Sequence, residues 1–229
     1  MKLVLKIGGS LLFSKNQEFN IYRFKKFAEV IRKLRNQNHD LVLVVGGGVL
    51  AKALVKMGKM LEAEHDALDR LGIAATWVCA QLMIAALGDI AYPIPIMTEQ
   101  QLTSLKETEK LLVLGGLHPG QSTNAVATCA AELTNSTILI NATDVEGVYN
   151  GDPKRSTKVK LLPELTIEQL QEIVSSLETE PGTYPLFDKC ALDIAKRANI
   201  EIWFVNGSNP ENILLAIKEG KIGTRVLAS

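Results

Sequence analysis

Leu3-Val4-Leu5-Lys6-Ile7-Gly8-Gly9-Ser10 decides the reading of this chain. A short apolar run ends in a lysine, then in two glycines and a serine, as a buried strand does where it stops at a tight turn. Two more runs end in the same way. Leu41–Val45 leads into Gly46-Gly47-Gly48, and Leu111–Leu114 leads into the loop Gly115–Thr123. Glycine at a strand end lets backbone N–H groups approach an anion with no Cβ in the way. A helix starting just beyond adds the positive end of its dipole. One such turn is ordinary chain geometry. Three of them, one carrying Lys6 and one carrying Pro119-Gly120-Gln121-Ser122-Thr123, point to a site for several phosphates.

Outward from these turns, apolar runs alternate with helical patterns. Ile21–Leu34 places Phe24, Phe27, Ala28, Ile31 and Leu34 on one helical face. Val49–Met57 follows the second turn as a helix, and His65–Leu87 reads as a long helix, with Gly72 marking a kink or break. Pro93–Ile96 is extended, since proline excludes helix there. Ala125–Leu133 is a helix and Thr137–Ile140 a strand. Thr166 and Gln169 form a capping box at the start of a further helix. Helix Leu186–Ala198, strand Ile200–Val205 and helix Pro210–Lys218 complete the series. The alternation predicts an α/β fold, a mainly parallel sheet covered by helices on both faces. No linker divides the chain, so residues 1–229 are expected to form one domain. Its halves, about 1–150 and 151–229, meet in a polar stretch around Lys154–Lys160.

At 229 residues the chain can bury one sizeable core. Lysine plus arginine equals aspartate plus glutamate at 25 each, so no global field favours nucleic acid or an anionic membrane. The start of the chain lacks the pattern of a signal peptide. Ile73–Leu87 is short for a membrane span and is interrupted by Thr76 and Gln81. Cys79, Cys129 and Cys190 lack CxxC spacing and read as buried, reduced thiols of a cytoplasmic protein. No metal-ligand cluster stands out among three histidines and three scattered cysteines.

Ligands of open α/β sheets bind beyond the carboxyl ends of the strands, where each of these loops falls. Lys6 beside Gly8, Gly9 and Ser10 suits an oligophosphate, whose transferring group needs fixed positive partners; it reads equally as a strand-ending surface lysine. Lys52 and Lys56 lie one turn apart on the helix after Gly48, as a cationic rim or a solvated face. Phosphoryl transfer between phosphates needs no base, and His118 reads as a polar loop residue. Tyr149 could stack on a nucleobase and Asp152 accept a hydrogen bond, or both could belong to a hairpin-like surface excursion. Neither a Walker nor a GxGxxG motif is present. Trp77 and Trp203 read as core aromatics.

Together these segments resemble the amino acid kinase superfamily, and within it the archaeal-type UMP kinases. The resemblance runs from Lys6 to Gly223-Thr224. Its most specific parts are Gly115–Thr123 and Thr143-Asp144-Val145-Glu146-Gly147-Val148-Tyr149-Asn150-Gly151-Asp152-Pro153. It implies a three-layer αβα sandwich that transfers the γ-phosphoryl of ATP to UMP with Mg2+ in pyrimidine biosynthesis. It also implies a cytoplasmic homo-oligomer, a hexamer built as a trimer of dimers. Gly8, Gly9, Ser10, Gly48 and Lys52 would line the triphosphate, and Thr143, Asp144, Tyr149 and Asp152 would hold the rest of the adenine nucleotide. Gly47, Asp69, Leu117, His118, Pro119, Gly120, Gln121, Ser122 and Thr123 would hold UMP. Lys6 and Asn124 take the catalytic positions.

Three positions depart from that pattern. Asn124 stands where the family has aspartate, and an amide is nearly isosteric but uncharged. Cys79 replaces a usual asparagine, and Trp77 stands where archaeal-type members often have arginine. These changes leave room for two other readings: a relative with a different small phosphate or carboxylate acceptor, or a nucleotide-binding regulatory or storage protein.

Overall fold

Strands β1 (Lys2–Ile7), β2 (Asp40–Val45), β3 (Leu112–Leu114), β4 (Ile138–Thr143), β5 (Glu164–Thr166), β6 (Glu201–Asn206) and β7 (Thr224–Leu227) build one sheet in the computed structural model. It describes residues 1–151, 159–178, 186–220 and 222–228, so Asp152 lies outside the described residues. The strand order is β3-β2-β1-β4-β6-β7-β5. Every neighbouring pair is parallel except β6 with β7. β1 lies near the centre, with Lys6 opposite Val44 on one side and Asn141 on the other.

The central strands are largely apolar, with Lys6, Asn141 and Thr143 the buried exceptions toward their ends, because helices cover both faces. On one face Leu3, Leu5, Ile7, Leu43 and Val45 meet helices α1 (Ile21–Asn36), α3 (His65–Leu87) and α8 (Glu211–Glu219). On the other, Val4, Val44, Leu139, Ile202 and Phe204 meet α4 (Glu99–Leu105), α5 (Thr123–Leu133), α6 (Ile167–Glu178) and α7 (Lys189–Arg197). The result is the expected αβα sandwich. Helix α2 (Gly48–Met60) packs beside α3, where a Cβ on Gly58 would strike Leu68 and Leu71. Local signals agree with these limits. The Asn20 side chain accepts from the Arg23 N–H at the start of α1. Thr166 and Gln169 make both bonds of the capping box at α6, 3.3 and 2.9 Å.

Several expectations change. Helix α3 runs unbroken through Gly72, with Val55 the one neighbour within reach of an added Cβ, at 3.8 Å. Gly72→Ala is therefore expected to raise stability by up to about 1 kcal/mol, read as a higher urea midpoint. The segment from His65 to Ile90 is long and apolar enough, by length and composition, to cross a membrane. Leu68, Ala75, Cys79, Ala80, Met83, Ile84 and Leu87 are nevertheless buried, as in a core helix. Of the thiols, Cys79 is buried, Cys129 half-buried and Cys190 exposed, so the expectation of three buried thiols fails at Cys190. The helix expected from Leu186 begins at Lys189, because the Asp188 carboxylate accepts the Ala191 N–H and caps it there. Strands β5 and β7 and helix α4, all short, carry too few residues to show a period.

Candidate active site

Three loops converge where β1, β2 and β3 end. The first two touch through their backbones. A Cβ on Gly9 would lie 2.1 Å from the Gly48 nitrogen, and one on Gly48 would lie 2.4 Å from the Gly9 carbonyl oxygen. Gly48 also has φ +54°, the left-handed region that favours glycine. Both glycines are thus demanded by the approach of one turn to the other. Gly47 precedes α2 with no side-chain cap, leaving the helix N-terminus with unpaired donors beside that contact.

The third loop is held by α3. Thr76 Oγ1 accepts the Gly116 N–H at 2.6 Å, and the Trp77 indole donates to the Gly116 carbonyl at 2.9 Å. Trp77 is half-buried and its polar edge supports a loop, so it is more than a core aromatic. Trp77→Phe would leave that carbonyl without its donor, and is expected to cost about 1–3 kcal/mol of unfolding free energy, read in urea. Further along, the Gly120 N–H donates to Asp69 at 2.7 Å, so the structure joins Asp69 to the loop it was grouped with. His118 is exposed, 3.5 Å from Glu99, while Leu117 turns into the core. Pro119 is exposed at the loop's tip, and the Gln121 Oε1 is buried without a partner.

Where the loop enters α5, Ser122 caps the helix by accepting from the Asn124 and Ala125 N–H groups, 3.1 Å each. Its hydroxyl donates in turn to Asp188 at 2.5 Å. Thr123 opens the helix. Asn124 is buried; its oxygen accepts from Asn141 at 3.3 Å and its nitrogen donates to the Leu186 carbonyl at 3.4 Å. The Asn141 oxygen is buried without a partner. Asn141 lies beside Lys6 in the sheet, on the α5 side.

Lys6 is 9 % exposed. Burial pulls its ammonium down from 10.5 to about 8, a fall opposed first by the charge of Asp144 and then by that of Asp188. A buried lysine near the end of its strand, with acidic groups at the end of β4 and the start of α7, can hold a transferring phosphoryl group in place. Ser10 is exposed in the short 3-10 turn Gly9–Leu12, and Gly8 donates its N–H to the Ala142 carbonyl at 2.9 Å.

Elsewhere, Thr143 is buried and bonds its own turn through Val145, while Asp144 is exposed. Tyr149 is half-buried and forms an antiparallel bridge with Leu161. Lys52 is exposed, one turn into α2. Sequence reasoning missed Asp188 and Asn141. Asn141 announced itself as an amide in an apolar run; Asp188 offered only a helix-start signal.

The amino acid kinase family model matches residues 1–206. The chain belongs to the amino acid kinase family. Among its relatives, the chain is 35% identical over all of both chains to a protein named uridylate kinase from Methanobrevibacter smithii. It is 37% identical, over 99% of each chain, to another of that name from Methanothermobacter thermautotrophicus. The crystal structure of uridylate kinase from Archaeoglobus fulgidus superimposes with a TM-score of 0.87 at 35% identity, covering 99% of this chain and 100% of that one. Helix α3 and the glycine turns thus sit in an established kinase fold.

Proposed function

We propose that the protein phosphorylates UMP to UDP, taking the γ-phosphoryl group of ATP. The observation that carries this reading is the end-to-end likeness to uridylate kinases, with no loop of the candidate site left outside the matched span. Magnesium enters as part of the MgATP substrate. Gly8, Gly9, Ser10, Gly48 and Lys52 take its phosphates, where backbone donors and a helix N-terminus meet. Thr143, Asp144, Tyr149 and Asp152 take the rest of the nucleotide. Gly47, Asp69 and the Leu117–Thr123 loop, steadied by Thr76 and Trp77, take UMP. The acceptor phosphate is already an anion, so transfer needs positioning and positive charge, supplied from this chain by Lys6 and loop amides.

A coupled assay with MgATP and a panel of acceptors tests the reading. UMP turnover at enzyme-like rates, well above CMP or small carboxylates, is expected. ATP binding without turnover of any nucleotide would sink it and favour the regulatory or storage alternative. Because Lys6 loses its proton near pH 8, kcat/KM for MgATP is expected to fall as pH rises through about 8. A flat profile to pH 9.5 would contradict a charged Lys6 at the transfer point.

The same reading makes the protein a single-domain, cytoplasmic homo-oligomer, a hexamer assembled as a trimer of dimers. Exposed Met57, Met60 and Leu61 on and just after α2, and Val78 and Leu82 on α3, support it, since a second copy would cover them. Sedimentation equilibrium gives the mass directly.

A further inference from the structure

Strand β7 is the last in the chain, yet its first residue reaches into the loop that follows β4. Thr224 is 1 % exposed, and its hydroxyl makes two bonds there. It accepts the Val148 N–H at 2.9 Å and donates to the Leu162 carbonyl at 2.6 Å. Val148 and Leu162 face each other beside the antiparallel bridge of Tyr149 with Leu161. Residues so paired exchange two backbone bonds in a regular ladder. Here one is direct, from the Leu162 N–H to the Val148 carbonyl at 2.8 Å, and the other runs through the Thr224 hydroxyl. On the far side of the bridge, the Asn150 N–H donates to the Lys160 carbonyl at 3.2 Å, and the Lys160 N–H returns to the Asn150 side chain at 2.8 Å. Tyr149 is thus the middle residue of a short ladder clamped at both ends, and one clamp comes from β7.

Close packing fixes that clamp. A Cβ on Gly147 would lie 2.5 Å from Thr224 Oγ1. Gly223 has φ +82°, and a Cβ there would strike the Phe204 carbonyl and come within 3.4 Å of the Glu146 carbonyl oxygen. The Glu146 carboxylate in turn accepts from the Asn206 side chain at 2.6 Å. Residues 146–148 are therefore held from both β6 and β7. We propose that Thr224 is the positioning residue for the nucleobase end of the donor site, setting through Val148 where the Tyr149 ring stands against the base of ATP. This rests on the kinase reading above. A buried hydroxyl is costly unless paired, and this one has both its partners. Valine, of the same shape, would leave the Val148 N–H and the Leu162 carbonyl unpaired. Those two groups could then meet only if the ladder shifted, carrying Tyr149 with it. Strands β4 and β6 separate β7 from the strand of Lys6, so the effect falls on donor binding and not on transfer.

Thr224→Val tests this by the split between KM and kcat. KM for MgATP should rise about tenfold, the worth of one base–aromatic stack, while kcat and KM for UMP stay within about twofold. Thr224→Ser keeps the hydroxyl and should recover the parent KM. Calorimetry of MgATP binding without UMP should show the same weakening and needs no turnover. Tyr149→Leu, at a half-buried position, should raise KM for MgATP as much, and adding Thr224→Val to it should cost less than about twofold more. A KM for MgATP within about twofold of the parent in either single variant overturns the proposal, and Tyr149→Leu carries that test even where valine upsets folding. Equal changes in KM for both substrates overturn it too, as does a Thr224→Ser variant no better than Thr224→Val. Absence of UMP turnover in the parent protein overturns the kinase reading alone, since MgATP binding still reads the role of Thr224.

Discussion

Lys6→Met should lower kcat by roughly 10²–10³ while leaving the melting temperature equal or higher. The two effects have one cause. The ammonium is buried, and burial has drawn its proton affinity down to about 8 against 10.5. Between those values the unfolded chain binds more protons than the native one, so stability rises with pH across that window. Below about 8 the native protein carries a charged lysine at a standing cost, which methionine, similar in length and apolar, removes. Activity follows the charged form and stability the neutral one. Steady-state kinetics and melting curves on the same preparations, from pH 6.5 to 10, test both. A Lys6→Met enzyme keeping more than about a tenth of the parent kcat would show that loop amides and magnesium carry the transfer by themselves.

Gly9→Ala should destabilise the protein by about 3 kcal/mol or more and abolish turnover. The added Cβ meets Gly48 N at 2.1 Å, Gly48 Cα at 2.6 Å and Gly46 C at 2.8 Å, all backbone atoms that no rotamer change can move aside. Relief requires the first two loops to part, and with them the groups proposed to cradle the triphosphate. A chain of this length loses about 2–4 °C per kcal/mol, so the melting temperature should fall by ~6–12 °C. A change under about 2 °C would mean that the two turns are less closely held than the geometry implies.

The centre of the fold was legible for a physical reason. β1, β2 and β4 are buried on both faces, so their apolar runs are nearly continuous, broken by Lys6 and Asn141, and the loops that end β1 and β2 need glycine. Helix α3 was legible to both termini because its apolar pattern stops at Glu64 and Gly88. The periphery was not. β7 is a four-residue strand whose place depends on β6, and no local pattern announces an antiparallel neighbour. The site divides in the same way. Lys6 and Asn124 stand within motifs, whereas the reach of Asp188 to Ser122 spans 66 positions and exists only once α7 docks on α5. Trp77 was visible, but its bond to Gly116 was hidden by the same dependence on packing.

The place of β1 has a consequence for biosynthesis. Its first neighbour, β2, follows it closely, but its second, β4, begins only at Ile138. At ~5–20 residues per second, the ribosome needs roughly 5–20 s to pass from Val45 to Ile138. For that interval the nascent sheet has one side of its first strand unpaired, with buried-to-be apolar residues on both faces. Lys6 lies on that open flank, next to the position Asn141 will take. Lys6 is thus a charge placed where a growing chain has most need of a deterrent to misplaced strand pairing.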